Sequence, residues 1–146
     1  MLSNSCRYGI RAVIYIASRH KKAGHTGLKA IAEALELPPP YLAKILQQLA
    51  RHKILNSSKG PHGGFSMLRD PKKVTLLDII NVIDGDDFFR NCVIHNHTCS
   101  YVDSENLPCP LHDDYGKIRE NLIDLFRKKT VYELAEKAGN TELMII

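Results

Sequence analysis

The sequence predicts a mainly α-helical fold with a small β-hairpin, arranged as a winged helix-turn-helix followed by a long dimerisation helix. Residues 28–52 contain two short amphipathic patterns separated by a proline-containing turn, as in a helix-turn-helix. A Gly-rich segment between two short strand-like runs follows directly, which is the pattern of a wing. From residue 111 onward, apolar residues recur at heptad spacing, which indicates a helix that pairs with another helix.

The net charge of +4 conceals an uneven distribution of basic and acidic residues along the 146-residue chain. Residues 1–75 contain 13 Lys and Arg and three acidic residues, a net charge of +10, whereas residues 76–146 carry a net charge of −6. Such a basic half usually has an anionic partner, and DNA is the obvious one; a solvated basic surface is the alternative. No apolar run is long enough to cross a membrane and no secretory signal is visible, so we expect no membrane association and a cytoplasmic location.

Three helices are predicted in the N-terminal half of the chain. The first covers residues 4–19 and the second residues 28–35; the third begins near Pro39 or Pro40, since proline is tolerated in a first helical turn, and reaches about His52. Apolar residues of the third helix are spaced i, i+3, i+4 and i+7, which predicts a buried stripe. On its opposite face we expect five side chains that can reach bases and phosphates to project together: Tyr41, Lys44, Gln47, Gln48 and Arg51.

A β-hairpin is predicted directly after the third helix, with strands at Ile54–Ser57 and Phe65–Leu68. The turn between them, residues 59–64, contains three glycines, which permit a close approach to phosphate. Lys59 and His62 near its tip suit contacts with the DNA backbone or with the minor groove. The two helices alone are equally compatible with an ordinary packing hairpin, but the basic wing after them favours DNA binding.

The next helix is predicted from its ends. Thr75 and Asp78 resemble a capping box, and Asp84-Gly85 suits a helix C-terminus. Residues 86–110 are predicted to be irregular.

A long helix is predicted from about residue 111. Its apolar seam is expected to pair with a second copy of the chain and consists of Leu111, Tyr115, Ile118, Leu122 and Leu125. Packing onto the core of the same chain is the alternative. A capping box at Thr130–Glu133 predicts a last helix that ends near Gly139. The chain is thus divided into a winged helix-turn-helix DNA-binding domain (1–84), a cysteine loop (85–110), and the dimerisation and C-terminal helices (111–146).

The cysteine loop contains a candidate metal site. Cys92, Cys99 and Cys109 are separated by six and nine residues, and His112 follows at a Cys-x-x-His spacing. Three thiolates and an imidazole make a four-ligand set for an iron–sulfur cluster or for zinc, and the spacing alone does not separate the two. Thiols without a metal are a further alternative. Cys6, in contrast, lies near apolar positions of the first helix and is expected to face the core.

These residues carry a resemblance to a known family. The pair Tyr41-Leu42, the wing at residues 59–65 and the sequence Cys-Pro-Leu-His at residues 109–112 resemble the Rrf-type (IscR/NsrR) winged-helix regulators over about residues 1–135. The resemblance implies a bacterial dimeric transcription regulator, often a repressor, whose cluster state changes its DNA affinity. It also implies that the three loop cysteines are cluster ligands and that His112 matches the histidine of the IscR branch. The cysteine gaps are longer than is usual in the family, which concerns the geometry of the cluster. Ala43 stands where IscR-like proteins place a base-reading glutamate, so we expect a different operator.

We therefore predict a DNA-binding transcriptional regulator, a repressor, that senses redox, iron or nitric oxide status through an iron–sulfur cluster. We favour a 2Fe–2S over a 4Fe–4S cluster and expect a homodimer on a near-palindromic site in double-stranded DNA. One alternative is a cluster-free winged-helix regulator that responds to thiol oxidation or to a partner protein; another is a zinc-stabilised interaction module. We do not expect an enzyme, because no nucleophile–base motif or phosphate-binding loop stands out.

Overall fold

The computed structural model describes residues 2–19, 24–99 and 109–139 of the chain. Its described part is mainly helical with one two-stranded antiparallel sheet, which confirms the predicted fold class. The helices and strands in chain order are α1 (Asn4–Arg19), α2 (Leu28–Leu35), α3 (Pro39–Arg51), β1 (Leu55–Ser58), β2 (Gly64–Met67), a 3-10 turn (Pro71–Lys73), α4 (Leu76–Ile83), α5 (Asp87–Arg90), α6 (His112–Lys128) and α7 (Val131–Gly139). None of the described helices is long and apolar enough to cross a membrane.

Helices α2 and α3 form the predicted helix-turn-helix. Glu36 ends α2 in the left-handed region (φ 52°), and its N–H donates to carbonyls of the last turn. Pro38 then caps α3 with an extended backbone, and Pro39 occupies the first helical position, where no hydrogen bond is lost. The apolar stripe of α3 faces inward, as predicted, because Leu42, Ile45, Leu46 and Leu49 are all buried.

The wing consists of β1 and β2, each shifted by one residue from its predicted position. Leu55 pairs with Met67 and Ser58 with Gly64, whereas Ile54 is still engaged with the end of α3, since its N–H donates to the Leu49 carbonyl. Thr26 extends the wing by a third short pairing, with two backbone hydrogen bonds of 2.8 and 2.9 Å to Phe65. This contact requires glycine at position 64 (φ +148°), because a Cβ there would lie 2.3 Å from the Thr26 carbonyl oxygen.

The capping box of α4 is present as predicted. Thr75 Oγ1 accepts a hydrogen bond from the Asp78 N–H (3.2 Å), and the Asp78 carboxylate accepts one from the Thr75 N–H (2.9 Å). Asp84 ends the helix and Gly85 follows with φ +76°. The expectation of an irregular segment from residue 86 was wrong at its start, since α5 covers Asp87–Arg90; the loop's residues 100–108 lie outside the described ranges.

Helix α1 lies at the centre of the molecule. Val13 and Ile16 are buried in a core that α2, α3, the wing and Val131 of α7 share. A second, smaller cluster contains Cys6, which is 0% exposed, packed with Ile80 and Phe89. The core-facing position expected for Cys6 is therefore confirmed.

Candidate DNA-binding face and cysteine site

The exposed face of α3 contains three of the five predicted DNA-contacting side chains. Lys44, Gln47 and Arg51 are exposed and are spaced i, i+3 and i+7, so they lie on one face of the helix opposite its buried stripe. One residue can provide an ammonium, one an amide and one a guanidinium, which are the groups that recognise base edges and phosphates.

Tyr41 lies at the edge of this face and connects it with α1. Its hydroxyl is 2.6 Å from the hydroxyl of Ser5, and its ring meets that of Tyr8 edge to face, with centroids 5.9 Å apart. The N-terminal turn of α1 therefore borders the exposed face of α3. The sequence patterns did not identify Ser5 as part of this surface, because the contact is long-range and depends on how α1 crosses α3.

Gln48 does not project with Lys44, Gln47 and Arg51, contrary to the expectation from the helical pattern. It is half-buried, and its side-chain amide donates a 2.7 Å hydrogen bond to the carbonyl of Val82 in α4. The physical reason is its position on the flank of α3: it adjoins the buried stripe, where α4 packs, rather than lying opposite the stripe. This hydrogen bond holds the side-chain nitrogen of Gln48 against the C-terminal end of α4.

The two residues predicted to contact DNA from the wing lie near its tip. Lys59 and His62 are both exposed, and the turn between them is closed by a 3.0 Å hydrogen bond from the Gly63 N–H to the Gly60 carbonyl. Gly60 has φ +103°, which favours glycine at that position. Nearer the base of the wing, the Asn56 amide lies 3.4 Å from Nε2 of His25. Neither His25 nor Asn56 was identified from the sequence.

The cysteine loop brings Cys92 and Cys109 together. Their sulfur atoms are 3.7 Å apart. Cys92 is held by a backbone hydrogen bond from its N–H to the His97 carbonyl (2.9 Å), inside a small turn closed by the pairing of Asn91 with Thr98. Cys99 is buried, and it is close enough to Cys92 and Cys109 to influence the ionisation of both thiols.

The two close thiols differ in acidity. Hydrogen bonds from the backbone of His95, then of Ile94, lower the pKa of Cys92, since they stabilise the thiolate. At Cys109 a backbone hydrogen bond from Leu111 acts in the same direction, but desolvation and the two neighbouring thiols outweigh it and raise the pKa. Cys6 is different again: burial, reinforced by Asp84, raises its pKa to about 12.

The fourth predicted ligand, His112, follows Cys109 closely in the chain. His112 is the first residue of α6, and its N–H donates a 3.1 Å hydrogen bond to the Cys109 carbonyl, which closes the Cys-Pro-Leu-His turn. Nε2 of His95 is buried and has no hydrogen-bond partner among the described residues. The loop thus combines soft sulfur donors with a buried imidazole nitrogen that no described residue engages in a hydrogen bond.

These residues fit a thiolate-bound metal in donor chemistry and only partly in geometry. Two thiolates on one tetrahedral metal lie about 3.8 Å apart when each metal–sulfur bond is about 2.3 Å. The 3.7 Å separation of Cys92 and Cys109 matches that value and far exceeds a disulfide bond of about 2.05 Å. However, no set of three or more His, Cys, Asp or Glu side chains converges tightly enough to hold a metal ion within residues 2–19, 24–99 and 109–139.

Helix α6 exposes much of its predicted seam. Leu111, Ile118 and Leu125 are 43%, 63% and 49% exposed in the single chain. Ile123 and Phe126, which are not seam positions, pack instead against the cluster around Cys6. The helix therefore uses one face for its own core and presents another apolar face to solvent.

Known proteins provide an independent comparison. A family model described as Rrf2, iron-dependent transcriptional regulator, matches residues 2–137. A protein of Aquifex aeolicus that bears the name HTH-type transcriptional regulator is 30% identical over 135 residues, which cover 92% of this chain and 90% of that protein. Such names belong to regulators of transcription and not to enzymes.

Solved structures agree with the fold. CymR of B. subtilis, described as the global cysteine regulator, superposes with a TM-score of 0.74 at 24% identity and covers 94% of this chain and 97% of its own. The IscR structure from T. potens gives a TM-score of 0.71 at 21% identity, covering 98% of this chain and 91% of its own. At these identities the two structures show a shared fold.

Proposed function

Because the chain belongs to the Rrf2 family of transcriptional regulators, we propose that it is a DNA-binding repressor that acts as a homodimer and senses its signal through an iron–sulfur cluster. The observation that carries the sensing role is the 3.7 Å separation of the Cys92 and Cys109 sulfur atoms. The DNA-binding role is supported by the exposed face of α3, the wing and the charge of +10 on residues 1–75. A protein that acts on DNA in a bacterium works in the cytoplasm.

DNA recognition is assigned to α3 and the wing. Lys44, Gln47 and Arg51 enter the major groove, while Lys59 and His62 contact the backbone or the neighbouring minor groove. Tyr41 borders this surface through its contact with Ser5. Gln48 is left out of the base-contacting set, because its amide is already bonded to Val82.

The seam of α6 is assigned to dimerisation. Burial of Leu111, Ile118 and Leu125 against a second copy removes from water apolar surface that the single chain leaves exposed. Two recognition helices related by a two-fold axis then meet major-groove faces about 34 Å apart on a near-palindromic site.

The cysteine loop is assigned to the cluster. The cluster would be held by Cys92, Cys99, Cys109 and His112. The short distance between the Cys92 and Cys109 sulfur atoms would suit two thiolates on one metal atom. This favours 2Fe–2S, because each thiolate of a 4Fe–4S cluster binds a different iron. When bound, such a cluster supplies one-electron redox chemistry and reactivity toward nitric oxide. The residues themselves supply thiolates, and the N–H groups that lower the pKa of Cys92 favour the form that binds metal.

Ordering of the loop can reach the DNA-binding face through α4. The loop follows α4 directly, and α4 is bonded to α3 through Gln48 and Val82. Asp84, which follows α4 as its C-cap, also accepts hydrogen bonds from the N–H and hydroxyl of Ser3, directly before α1. A change in the loop therefore alters both helices that border the DNA surface, and coupling of this kind is typically about 1–3 kcal/mol, or about 5–150-fold in affinity.

A cluster-free thiol switch is the second candidate. It is favoured by the same close pair of thiols together with the lack of a tight three-ligand set in the described residues. In this case a peroxide accepts two electrons, Cys92 and Cys109 lose two protons, and one sulfur–sulfur bond forms as water is released. The sulfur atoms need to approach by about 1.7 Å to reach disulfide distance.

Visible absorbance and duplex selection together test the proposal. Protein purified without oxygen should show a charge-transfer spectrum that zinc and metal-free thiols lack, and it should enrich a near-palindromic sequence from random duplexes. If Cys92→Ala loses the spectrum but still selects the same DNA sequence, Cys92 serves the cluster and not DNA recognition. A colourless wild-type protein that still selects DNA would replace the cluster with the thiol switch, which disulfide mapping after peroxide treatment then tests. A wild-type protein that selects no duplex would exclude DNA recognition itself.

A further inference from the structure

A cleft of about 420 Å³ lies between the recognition helix α3 and the wing. Its polar side chains come from both elements: Gln47 and Arg51 from α3, and Asn56 and Ser57 from β1. The assignment of DNA contacts so far uses the outer face of α3 and the wing tip. Gln47 and Arg51 belong to that outer face as well, whereas Asn56 and Ser57 on the other side of the cleft have no role in the assignment.

The position of the cleft limits what can occupy it. When a recognition helix lies in the major groove and its wing reaches the adjacent minor groove, one sugar–phosphate strand must run between them, because that strand is the boundary of the two grooves. On the proposed mode of DNA binding, on which this inference rests, we propose that the cleft receives this strand and holds one phosphate with Arg51 and Asn56.

The chemistry of the lining suits a sugar–phosphate. Arg51, Asn56 and Ser57 offer N–H and O–H donors, and none of the described lining residues is acidic. Apart from Gln47, the remaining lining is apolar and includes Leu55, which is buried, and Leu68, which is 54% exposed at the edge of the cleft. An apolar wall beside donors matches deoxyribose carbon atoms beside a phosphate. The surrounding charge is strongly positive, as an anionic ligand requires.

The side chain of Asn56 is held in place by a contact with His25, in the connection that precedes α2. Its side-chain nitrogen lies 3.4 Å from Nε2 of His25, and Thr26, the next residue along the chain, is fixed to Phe65 of the wing by two backbone hydrogen bonds. His25 is thus a positioning residue for Asn56, and the connection that precedes α2 becomes part of the wing. The side chain of Asn56, at the base of the wing, lines the cleft that α3 borders.

A scan of uncharged phosphates tests the assignment. A duplex that the protein selects is synthesised with a methylphosphonate at one position at a time, and affinities are measured by fluorescence anisotropy for the wild type, Arg51→Ala and Asn56→Ala. Arg127→Ala serves as the matched control, because it removes an equal charge from the exposed surface of α6, where its partner is the neighbouring Asp124.

We expect one phosphate per half-site at which the uncharged linkage weakens wild-type binding about tenfold, since a hydrogen bond to a charged group contributes at least that much. In Arg51→Ala and Asn56→Ala the same linkage should cost less than threefold, whereas Arg127→Ala should keep the wild-type penalty. His25→Ala should act like Asn56→Ala, and His25→Gln should restore part of the penalty. Full penalties in both cleft variants would overturn the assignment while leaving DNA binding intact; a wild-type protein that binds no duplex would overturn the proposed function instead.

Discussion

The side-chain amide of Gln48 donates a 2.7 Å hydrogen bond to the backbone carbonyl of Val82. This bond joins the recognition helix α3 to the last turn of α4, the helix from which the cysteine loop departs. The carbonyl would otherwise be one of the unpaired groups at a helix C-terminus. Gln48 therefore supports the orientation of α3, and its neighbour Gln47 is the glutamine that faces solvent.

Replacement of each glutamine by alanine should change a different property, base preference for Gln47 and stability for Gln48. Gln47→Ala should relax the preference at one base pair by about 1–3 kcal/mol if its amide makes a bidentate contact, with little change in the free energy of unfolding. Gln48→Ala should lower the free energy of unfolding by about 1 kcal/mol and leave base preference unchanged. Duplex selection and urea titration of both variants measure the two effects. A change in base preference for Gln48→Ala alone would reverse the assignment.

Lys59 at the wing tip should act through charge alone. Lys59→Ala should weaken binding to all duplexes similarly and reduce the slope of log affinity against log salt by about one unit, since one phosphate contact fewer releases about one counterion fewer. Affinities of a selected and a scrambled duplex at several salt concentrations provide the measurement. An altered sequence preference with an unchanged slope would show that Lys59 reads bases instead.

Ile118 offers a direct probe of the proposed dimer. Its side chain is 63% exposed in the single chain, so Ile118→Glu should leave the fold intact, place two carboxylates in the apolar seam and give monomers. Monomers should lose most of their operator affinity, because the two half-sites no longer reinforce each other. Sedimentation velocity measures the mass.

Ile123 provides the matched control for that substitution. Because it is partly buried against the cluster around Cys6, Ile123→Ala should lower the free energy of unfolding by about 1–2 kcal/mol without changing the oligomeric state of the folded protein. An Ile118→Glu protein that sediments as a dimer would place the interface elsewhere on the chain.

The cysteines should differ sharply in their rates of alkylation. In metal-free, reduced protein at neutral pH, Cys92 should react with iodoacetamide well before Cys6. The thiolate is the reactive species, the pKa of Cys92 is lowered, and Cys6 is fully buried with a pKa of about 12. Raising the pH toward 9 should increase the rate at Cys92 less than at an ordinary exposed thiol, because more of Cys92 is already ionised at neutral pH. Peptide mass mapping at short times gives both rates; equal rates would contradict the environments described above.

Features that depend on contacts between residues close together in the chain are predictable from the sequence. The capping box of Thr75 and Asp78 and the buried stripe of α3 involve contacts within one or two helical turns, and both were predicted correctly. The wing strands lie one residue from their predicted positions, because a hydrogen bond to the end of α3 holds Ile54, and no local sequence pattern indicates that bond.

Features that depend on packing between distant segments were not predictable in the same way. Gln47 and Gln48 are identical in chemistry and adjacent in sequence, and only the position of α4 decides which one is exposed. The pairing of Thr26 with Phe65 and the contact of His25 with Asn56 join segments about 30–40 residues apart. The spacing of the cysteines pointed to a metal site, but the proximity of Cys92 and Cys109 depends on how the loop folds back onto the start of α6.

The proposed regulation requires that the cysteine loop hold an iron–sulfur cluster that controls DNA affinity. Iron and acid-labile sulfide, quantified in protein purified without oxygen from iron-supplied cells, test it most directly. We expect about two irons and two sulfides per chain in the wild type and in Cys6→Ala, and almost none in Cys92→Ala, Cys99→Ala or Cys109→Ala. The DNA affinity of the wild type should change at least fivefold when it loses its iron. Wild-type protein without iron or sulfide, or with both and the same DNA affinity after their removal, would contradict it.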